Sequence, residues 1–315
     1  MGNVWLRRYS VLVAVCTLLL VIAGGLVTSN DAALSIPDWP LSLGRLVPPL
    51  EGGIRFEFAH RLLAAAVAVL TFILAFWLQT AEPRLWLRRL GWVAVGTVLA
   101  QALLGGAAVK FVDPKPVSIA HACLAQLCFG IIVAVAVASR TDDRFSSSVA
   151  RQTTPTCGEP ADSKLTDHKN RSSVPLKPLI AAAALLVQTA LGAAVRHSVA
   201  SVIPHIAGAA VSTLLVMWAG LQVLTRHMEN TLFRRSATLL LSLTFSQVFL
   251  GMGAYMSRIL TADAPQPMPV MIWFTVAHVA AGSLAFGAAV ALALIVYRDA
   301  RPAPAALEHG GMAVA

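Results

Sequence analysis

Eight long apolar runs, each separated from the next by a polar or charged stretch, set the pattern of this chain. They fall at about 9–28, 56–79, 89–110, 116–139, 176–196, 201–225, 236–257 and 270–297. Each is close to the roughly 20 residues that cross a bilayer core as a helix. None is a short run of alternating polarity, which argues against a β-barrel. A helix satisfies its own backbone hydrogen bonds in lipid. The pattern therefore predicts an all-α membrane protein with eight transmembrane helices. The first run follows Arg7 and Arg8 as a signal peptide would. It is long enough to span and lacks a clear small-x-small cleavage site, so it reads as a retained span.

Composition agrees. Of 315 residues, 57% are hydrophobic and 12% charged, against about a quarter charged in soluble domains. A disordered chain, a coiled coil and a disulfide-stapled secreted domain are excluded. The net charge of +9 would point to nucleic acid in a soluble protein. Here the placement of the basic residues explains it better, and no nucleic-acid partner is expected.

Arg7, Arg8, Arg84, Arg88, Arg89, Arg140, Arg144, Arg151, Lys164, Lys169, Arg171, Lys177, Arg226, Arg234, Arg235, Arg298 and Arg301 all fall on one side, 17 of the 24 Lys and Arg. Arg45, Arg55, Arg61, Lys110, Lys115, Arg196 and Arg258 fall at the opposite ends. The positive-inside rule then puts both termini in the cytoplasm. The N-terminus has no Arg/Ser-rich presequence, which favours a bacterial inner membrane. The Ser/Thr/Pro-rich stretch between spans four and five reads as a cytoplasmic linker. The expected organisation is an N-terminal four-helix half over 1–140, a linker over 141–175, a C-terminal four-helix half over 176–300 and a tail over 301–315. Cys16, Cys123 and Cys128 sit in spans and Cys157 in the linker, so no structural disulfide and no Cys-x-x-Cys site is expected.

The spans repeat. Odd spans carry Gln101-x-x-x-Gly105-Gly106, Gln188-x-x-x-Gly192 and Gln247-x-x-x-Gly251-x-Gly253; span one has Gly24-Gly25 without the Gln. Even spans carry His60, His121, His205 and His278 near their outer ends. The unit is a Gly-bearing helix, an outer loop and a His-bearing helix, arranged as two pseudo-symmetric four-helix bundles. His168, His227 and His309 fall in cytoplasmic segments and His197 at the outer boundary.

One boundary histidine is easily satisfied by water or headgroups. Four at matching depth on parallel helices point to a shared ligand role, because ionisable groups in spans are costly. Imidazole serves zinc, copper, non-haem iron and haem. A zinc site would add Cys or carboxylate at short spacing, such as His-Glu-x-x-His, which is absent. Paired imidazoles across a bundle suit the two axial positions of a haem iron. The pairs would be His60 with His121 and His205 with His278. Ala64, Ala125, Ala209 and Gly282 stand one turn beyond the histidines, with Gly208 beside Ala209, and leave space for a porphyrin. The Gly pairs of the odd helices either admit a macrocycle edge or serve close helix packing. Lys110, Arg196 and Arg258 are candidate propionate contacts, or interfacial snorkelling cations.

Glu57 breaks the symmetry. It lies three residues before His60, on the same helical face; the matching positions before His121, His205 and His278 are Ser118, Val202 and Thr275. A carboxylate beside one porphyrin only suits acid–base chemistry on a bound tetrapyrrole. Its structural alternative is a partner for Arg61. On these residues alone three readings stand: an enzyme acting on a haem, a bis-histidine membrane cytochrome b that moves electrons without altering its haem, and a transporter built on parallel repeats.

The segments Gly24-Gly25-Leu26-Val27-Thr28, Ser35-Ile36-Pro37-Asp38-Trp39-Pro40, Pro48-Pro49, Glu57-x-x-His60-Arg61 and Gly192-x-x-Val195-Arg196-His197 together resemble the haem A synthase family, and the resemblance runs over essentially the whole chain. It implies an oxidoreductase of cytochrome oxidase assembly that oxidises the C8 methyl of haem O to the formyl group of haem A. It implies a resident haem b on His205 and His278, substrate haem O on His60 and His121, and an essential Glu57. A haem O synthase would supply the substrate, an electron-transfer partner would be needed, and a homo-oligomer is compatible with it. Many members carry a Cys pair in the first outer loop; this sequence has none there.

Overall fold

The computed structural model describes residues 3–140, 176–227 and 229–299. The expected linker with Cys157 and His168, and the expected tail with Arg301 and His309, lie outside the described residues. Eight helices are present: α1 (Val4–Ser29), α2 (Ile54–Ala81), α3 (Leu85–Lys110), α4 (Lys115–Arg140), α5 (Leu176–Arg196), α6 (Val202–Arg226), α7 (Thr231–Leu260) and α8 (Pro269–Asp299). All eight are long and apolar enough to cross a membrane. Among the described residues the only β-type pairing is an isolated bridge between Ser42 and Arg45. The all-α, eight-span expectation holds, and the chain is a multi-pass membrane protein.

Several helices run past the apolar stretch that announces them. α1 begins at Val4 rather than near 9, α3 at Leu85 rather than 89, and α7 at Thr231 rather than 236. Hydropathy marks the hydrocarbon core. The helix continues beyond it, because its backbone bonds close just as well in the headgroup region, where Arg7, Arg88 and Arg234 stand. Caps fix two of these starts. Asn3 Oδ1 accepts from the backbone N–H groups of Trp5 and Leu6 at 3.1 and 3.2 Å, and Asn230 Oδ1 accepts from Leu232 N–H at 3.0 Å.

α1 to α4 form one closed ring, each helix packing on its chain neighbour and α1 on α4. α5 to α8 form a second ring in the same way. The rings meet where α1 and α4 touch α8, and α4 touches α5. Each ring has its own apolar core. Val13, Leu74, Leu87 and Ile132 are fully buried in the first, and Val216, Leu240, Ala289 and Leu292 in the second.

Lipid gives helices no hydrophobic drive to associate, so close van der Waals fit must hold the rings together. At their junction the fit is reciprocal. The Phe286 ring sits where a Cβ on Gly130 would stand, 2.6 Å away, and the Phe129 ring does the same at Gly287, 2.9 Å. Beside them Gln126 donates from Nε2 to Ser283 Oγ at 2.7 Å, both residues buried. That bond joins positions 157 residues apart. The same offset relates Phe129 to Phe286, Gly130 to Gly287 and His121 to His278. At the α2–α3 turn Glu82 is bound by Arg84 at 2.6 Å, and Arg84 and Arg298 both stack over Trp86.

Candidate functional site

Each of the four histidines in the even helices rests on a glycine of the preceding odd helix. A Cβ built on Gly24 would stand 3.2 Å from Cε1 of His60; on Gly105, 3.6 Å from Cε1 of His121; on Gly192, 3.0 Å from Cε1 of His205; on Gly251, 2.9 Å from Cε1 of His278. These glycines are seats for imidazoles rather than openings for a macrocycle edge. At His60, His205 and His278 the glycine meets the Cε1–Nδ1 edge, so Nε2 is the farther nitrogen. The Nδ1 atoms of His60, His121 and His278 are buried, turned toward the backbones of Leu20, Gln101 and Gln247.

The glutamines of the repeat also find a role. Gln101 Nε2 donates to the backbone carbonyl of His121 at 3.0 Å, Gln188 Nε2 to that of His205 at 2.8 Å, and Gln247 Nε2 to that of His278 at 2.5 Å. Gln188 Nε2 is also 3.0 Å from His205 Nδ1. Two of the small residues beyond the histidines, Gly208 and Gly282, accommodate these amides. A Cβ on Gly208 would collide with the Gln188 carboxamide, and one on Gly282 would stand 2.9 Å from Gln247 Nε2. At these two positions, expected to leave space for a porphyrin, the neighbouring atoms are those of a glutamine.

His205 and His278 face one another with ring centres 6.3 Å apart and planes at 80°. Two imidazoles on opposite sides of one ion, each with a nitrogen–metal bond of about 2 Å, place their ring centres roughly 6 Å apart. His60 and His121 lie close enough to interact electrostatically. No group of three or more His, Cys, Asp or Glu able to hold a metal ion occurs among the described residues. The spacing of His205 and His278 therefore fits two ligands on one iron, as a haem would require, and the donor set does not make a tetrahedral zinc cage.

Glu57 is buried at the start of α2 and both of its oxygens are engaged. Oε2 accepts from the Ile36 N–H at 2.9 Å, and Oε1 pairs with Arg61 at 2.6 Å. Arg61 in turn donates to the carbonyls of Ile36 at 2.9 Å, Asp38 at 2.7 Å and Leu41 at 3.0 Å. Asp38 accepts from the N–H groups of Leu43 and Gly44 at 2.6 and 2.8 Å. These backbone bonds, Gly44 first, hold its carboxyl below the ordinary range, with the Arg61 charge helping and partial burial opposing. The first outer loop is thus tied to the helix that carries His60, and its Trp39 ring packs on Gly106 of α3.

One carboxylate was missed in the sequence. Ser118, one turn before His121, donates a short hydrogen bond to Asp113 in the α3–α4 loop. The serine hides the acid from a search for Asp or Glu at that spacing. The three candidate propionate cations separate. Lys110 and Arg258 are exposed at the outer helix ends. Arg196 is partly buried, donates to the Thr28 carbonyl and lies 3.9 Å from Asp31. His197 joins this outer group. Burial pushes its imidazole below the usual range, aided by Arg196 and Lys115 and opposed by Asp113.

Comparison with known proteins places the first of these segments in a family. The model of the Cytochrome oxidase assembly protein family matches residues 7–58, which cover α1, the outer loop and α2 as far as Glu57. The chain is 32% identical over 143 residues to a haem A synthase of Methylobacterium sp. (strain 4-46), covering 41% of this chain and 40% of that protein. It is 31% identical over 141 residues to a haem A synthase of Symbiobacterium thermophilum, covering 44% and 46%. It is 32% identical over 133 residues to one of Shouchella clausii, covering 41% and 44%. The matched stretches span less than half the length of these relatives. The resemblance to haem A synthases read from the motifs is borne out over these stretches, and not over the whole chain as the motifs suggested.

Proposed function

We propose that this chain is a haem A synthase, oxidising the C8 methyl of haem O to a formyl group for a terminal cytochrome oxidase. The observation that carries the reading is the fourfold glycine-seated histidine, with His205 and His278 facing one another. In this reading His205 and His278 hold a resident haem b, which when bound supplies a path for electrons. His60 and His121 hold the substrate, haem O. A haem O synthase supplies that substrate, and a separate partner exchanges electrons with the protein. The site opens to the outer side of a bacterial inner membrane, with both termini in the cytoplasm.

The chain's own residues then bind, orient and handle protons. The imidazoles fix the tetrapyrrole at both faces. Lys110, Arg196 and Arg258, at the outer ends of their helices, are placed to meet its carboxylates. With water as the source of the inserted oxygen, taking the methyl to the formyl releases protons as well as electrons, so a base beside the substrate takes up the protons and the electron-transfer partner takes up the electrons. Glu57 stands one turn from His60, and a carboxylate offers about four lone-pair positions, so it accepts a proton without first leaving Arg61. Asp113, through Ser118, offers a second acceptor one turn from His121.

The bis-histidine cytochrome b reading is favoured by one observation: both Glu57 oxygens are already occupied in holding the outer loop. The two readings part on one measurement. Purified protein is given haem O in membranes able to exchange electrons, and its haems are extracted and separated by chromatography. Haem A or a hydroxylated haem O supports the synthase. Unaltered haem O beside a resident haem b supports the cytochrome. A colourless preparation overturns both.

A further inference from the structure

The backbone carbonyls of three of the four histidines are gripped by a glutamine side chain of the neighbouring helix, and that of His60 is not. Gln101, Gln188 and Gln247 each stand four residues before the seating glycine and each grip the backbone carbonyl of the facing histidine. Gly24 seats His60 as the other glycines seat theirs, so the corresponding position on α1 is fixed at residue 20. That residue is leucine, which has no hydrogen to donate. No side chain donates to the His60 carbonyl among the described residues. The two halves differ in a second way. Gly208 and Gly282 let α6 and α8 close tightly on Gln188 and Gln247. The corresponding places on α2 and α4 hold Leu63 with Ala64 and Leu124 with Ala125.

The helical turn that carries His60 is tied instead to the loop before it. Its chain neighbour Arg61 binds three loop carbonyls, and Glu57 binds the Ile36 N–H. Every one of these bonds ends on the outer loop, not on a neighbouring helix. Opening the loop would release the first turns of α2 while α4, α6 and α8 stay clamped.

We infer that Gln101, Gln188 and Gln247 are positioning residues that fix their histidines as permanent ligands, and that Leu20 leaves His60 as the exchangeable ligand through which the N-terminal site takes up and releases its tetrapyrrole. The inference rests on the proposed two-haem reading and adds a direction to it. A resident group needs ligands that do not let go; a substrate and its product must leave. The outer-loop clasp is the element that opens, so exchange occurs on the outer side of α2.

The test is haem release, not turnover. Protein purified with both sites filled is mixed with an excess of a haem-scavenging apoprotein, and the transfer is followed by absorbance. The unaltered protein should lose haem in two phases, the faster from the N-terminal site. Leu20→Gln supplies the missing clamp and should slow the fast phase, by roughly fivefold for one net hydrogen bond. Gln247→Met, similar in volume but without the donor, should speed the slow phase by a similar factor. If Leu20→Gln fails to accumulate, externally added imidazole offers a second reading on the unaltered protein. It should displace the weaker ligand of the N-terminal haem at concentrations that leave the other haem low-spin and unchanged. Two phases of equal rate, or a fast phase that Leu20→Gln leaves unmoved, overturns the assignment of His60. A preparation without haem fails the two-haem reading itself, which is a separate outcome.

Discussion

Gly251 lies against the imidazole of His278 so closely that a Cβ on the glycine would stand 2.9 Å from the ring carbon Cε1. The same relation recurs at Gly192 and His205 at 3.0 Å, Gly24 and His60 at 3.2 Å, and Gly105 and His121 at 3.6 Å. Glycines whose spacing suited either a macrocycle edge or helix packing lie against the histidine rings, and the four distances order their tolerance to a methyl group.

Alanine at these positions should follow that order. At Gly251 and Gly192 the ring must shift, and overpacking of this kind costs about 1–3 kcal/mol. Haem retention at the C-terminal site should fall and its low-spin spectrum should broaden. Gly105→Ala makes an ordinary contact and should leave the spectrum close to that of the parent. The check is the haem-to-protein ratio and the low-spin band of each purified variant. Equal effects at 105 and 251 would show that the glycines serve helix packing alone.

The paired histidines give a sharper contrast. Either His205→Ala or His278→Ala should remove the low-spin bis-histidine signal of the resident haem while the protein still inserts. The N-terminal signal should persist in both, because each ring of helices has its own core. Both variants retaining the full resident spectrum would rule out this ligand pair.

Much of this was legible in the sequence because lipid simplifies the problem. Eight apolar runs could only be eight helices, and His60, His121, His205 and His278 stood out as polar groups at matching depth. The Gln-x-x-x-Gly spacing was visible too, but its purpose was not. A Gln that binds another residue's backbone carbonyl, as Gln247 does at His278, leaves no sequence mark on its partner. Asp113 escaped for a related reason, since Ser118 stands between it and the His121 face. The Arg61 contacts to Ile36, Asp38 and Leu41 were unreadable because they end on carbonyls, which every residue has.

The orientation rests on the 17-to-7 division of basic residues. Reporter fusions at residues 160 and 310 should behave as cytoplasmic and one near residue 45 as external. An external signal at residue 160 would invert the molecule and bring all four histidines to the cytoplasmic side.

Acid should loosen the outer loop in a defined window. The Asp38 carboxyl is held below its ordinary value by the N–H groups of Gly44 and Leu43. A depressed carboxylate stabilises the fold above its unfolded pKa of about 3.9, and that contribution is lost as pH falls through the lower folded value. Proteolysis at residues 38–45, or hydrogen exchange expressed as protection relative to the free-peptide rate at each pH, should therefore be flat from pH 8 to about pH 5 and show opening only below about pH 4. Asp38→Asn should show raised exchange at neutral pH and little further change on acidification. A loop that opens between pH 6 and 7 would point to a histidine instead.

Glu57 carries two roles that one substitution cannot separate, so the last prediction needs a pair. Glu57→Gln keeps the shape of the side chain and one acceptor oxygen for Arg61 or the Ile36 N–H. It cannot take a proton at neutral pH. Loss of a positioned base typically lowers a rate by about 10²–10⁴-fold. The variant should keep its haems, since neither axial nitrogen is altered, and should accumulate haem O or a hydroxylated intermediate in place of haem A. Arg61→Gln breaks the same ion pair and three further loop contacts, yet leaves the carboxylate in place one turn from His60. If Glu57 acts on protons, Glu57→Gln should lose far more haem A formation than Arg61→Gln, and only Arg61→Gln should raise hydrogen exchange strongly across the loop. If the carboxylate only fastens the loop, the two variants should lose activity together and in proportion to loop opening. Asp113→Asn, made in parallel, weighs the second acid: a large loss there with a mild one at Glu57 would move the proton acceptor to the His121 side of the substrate.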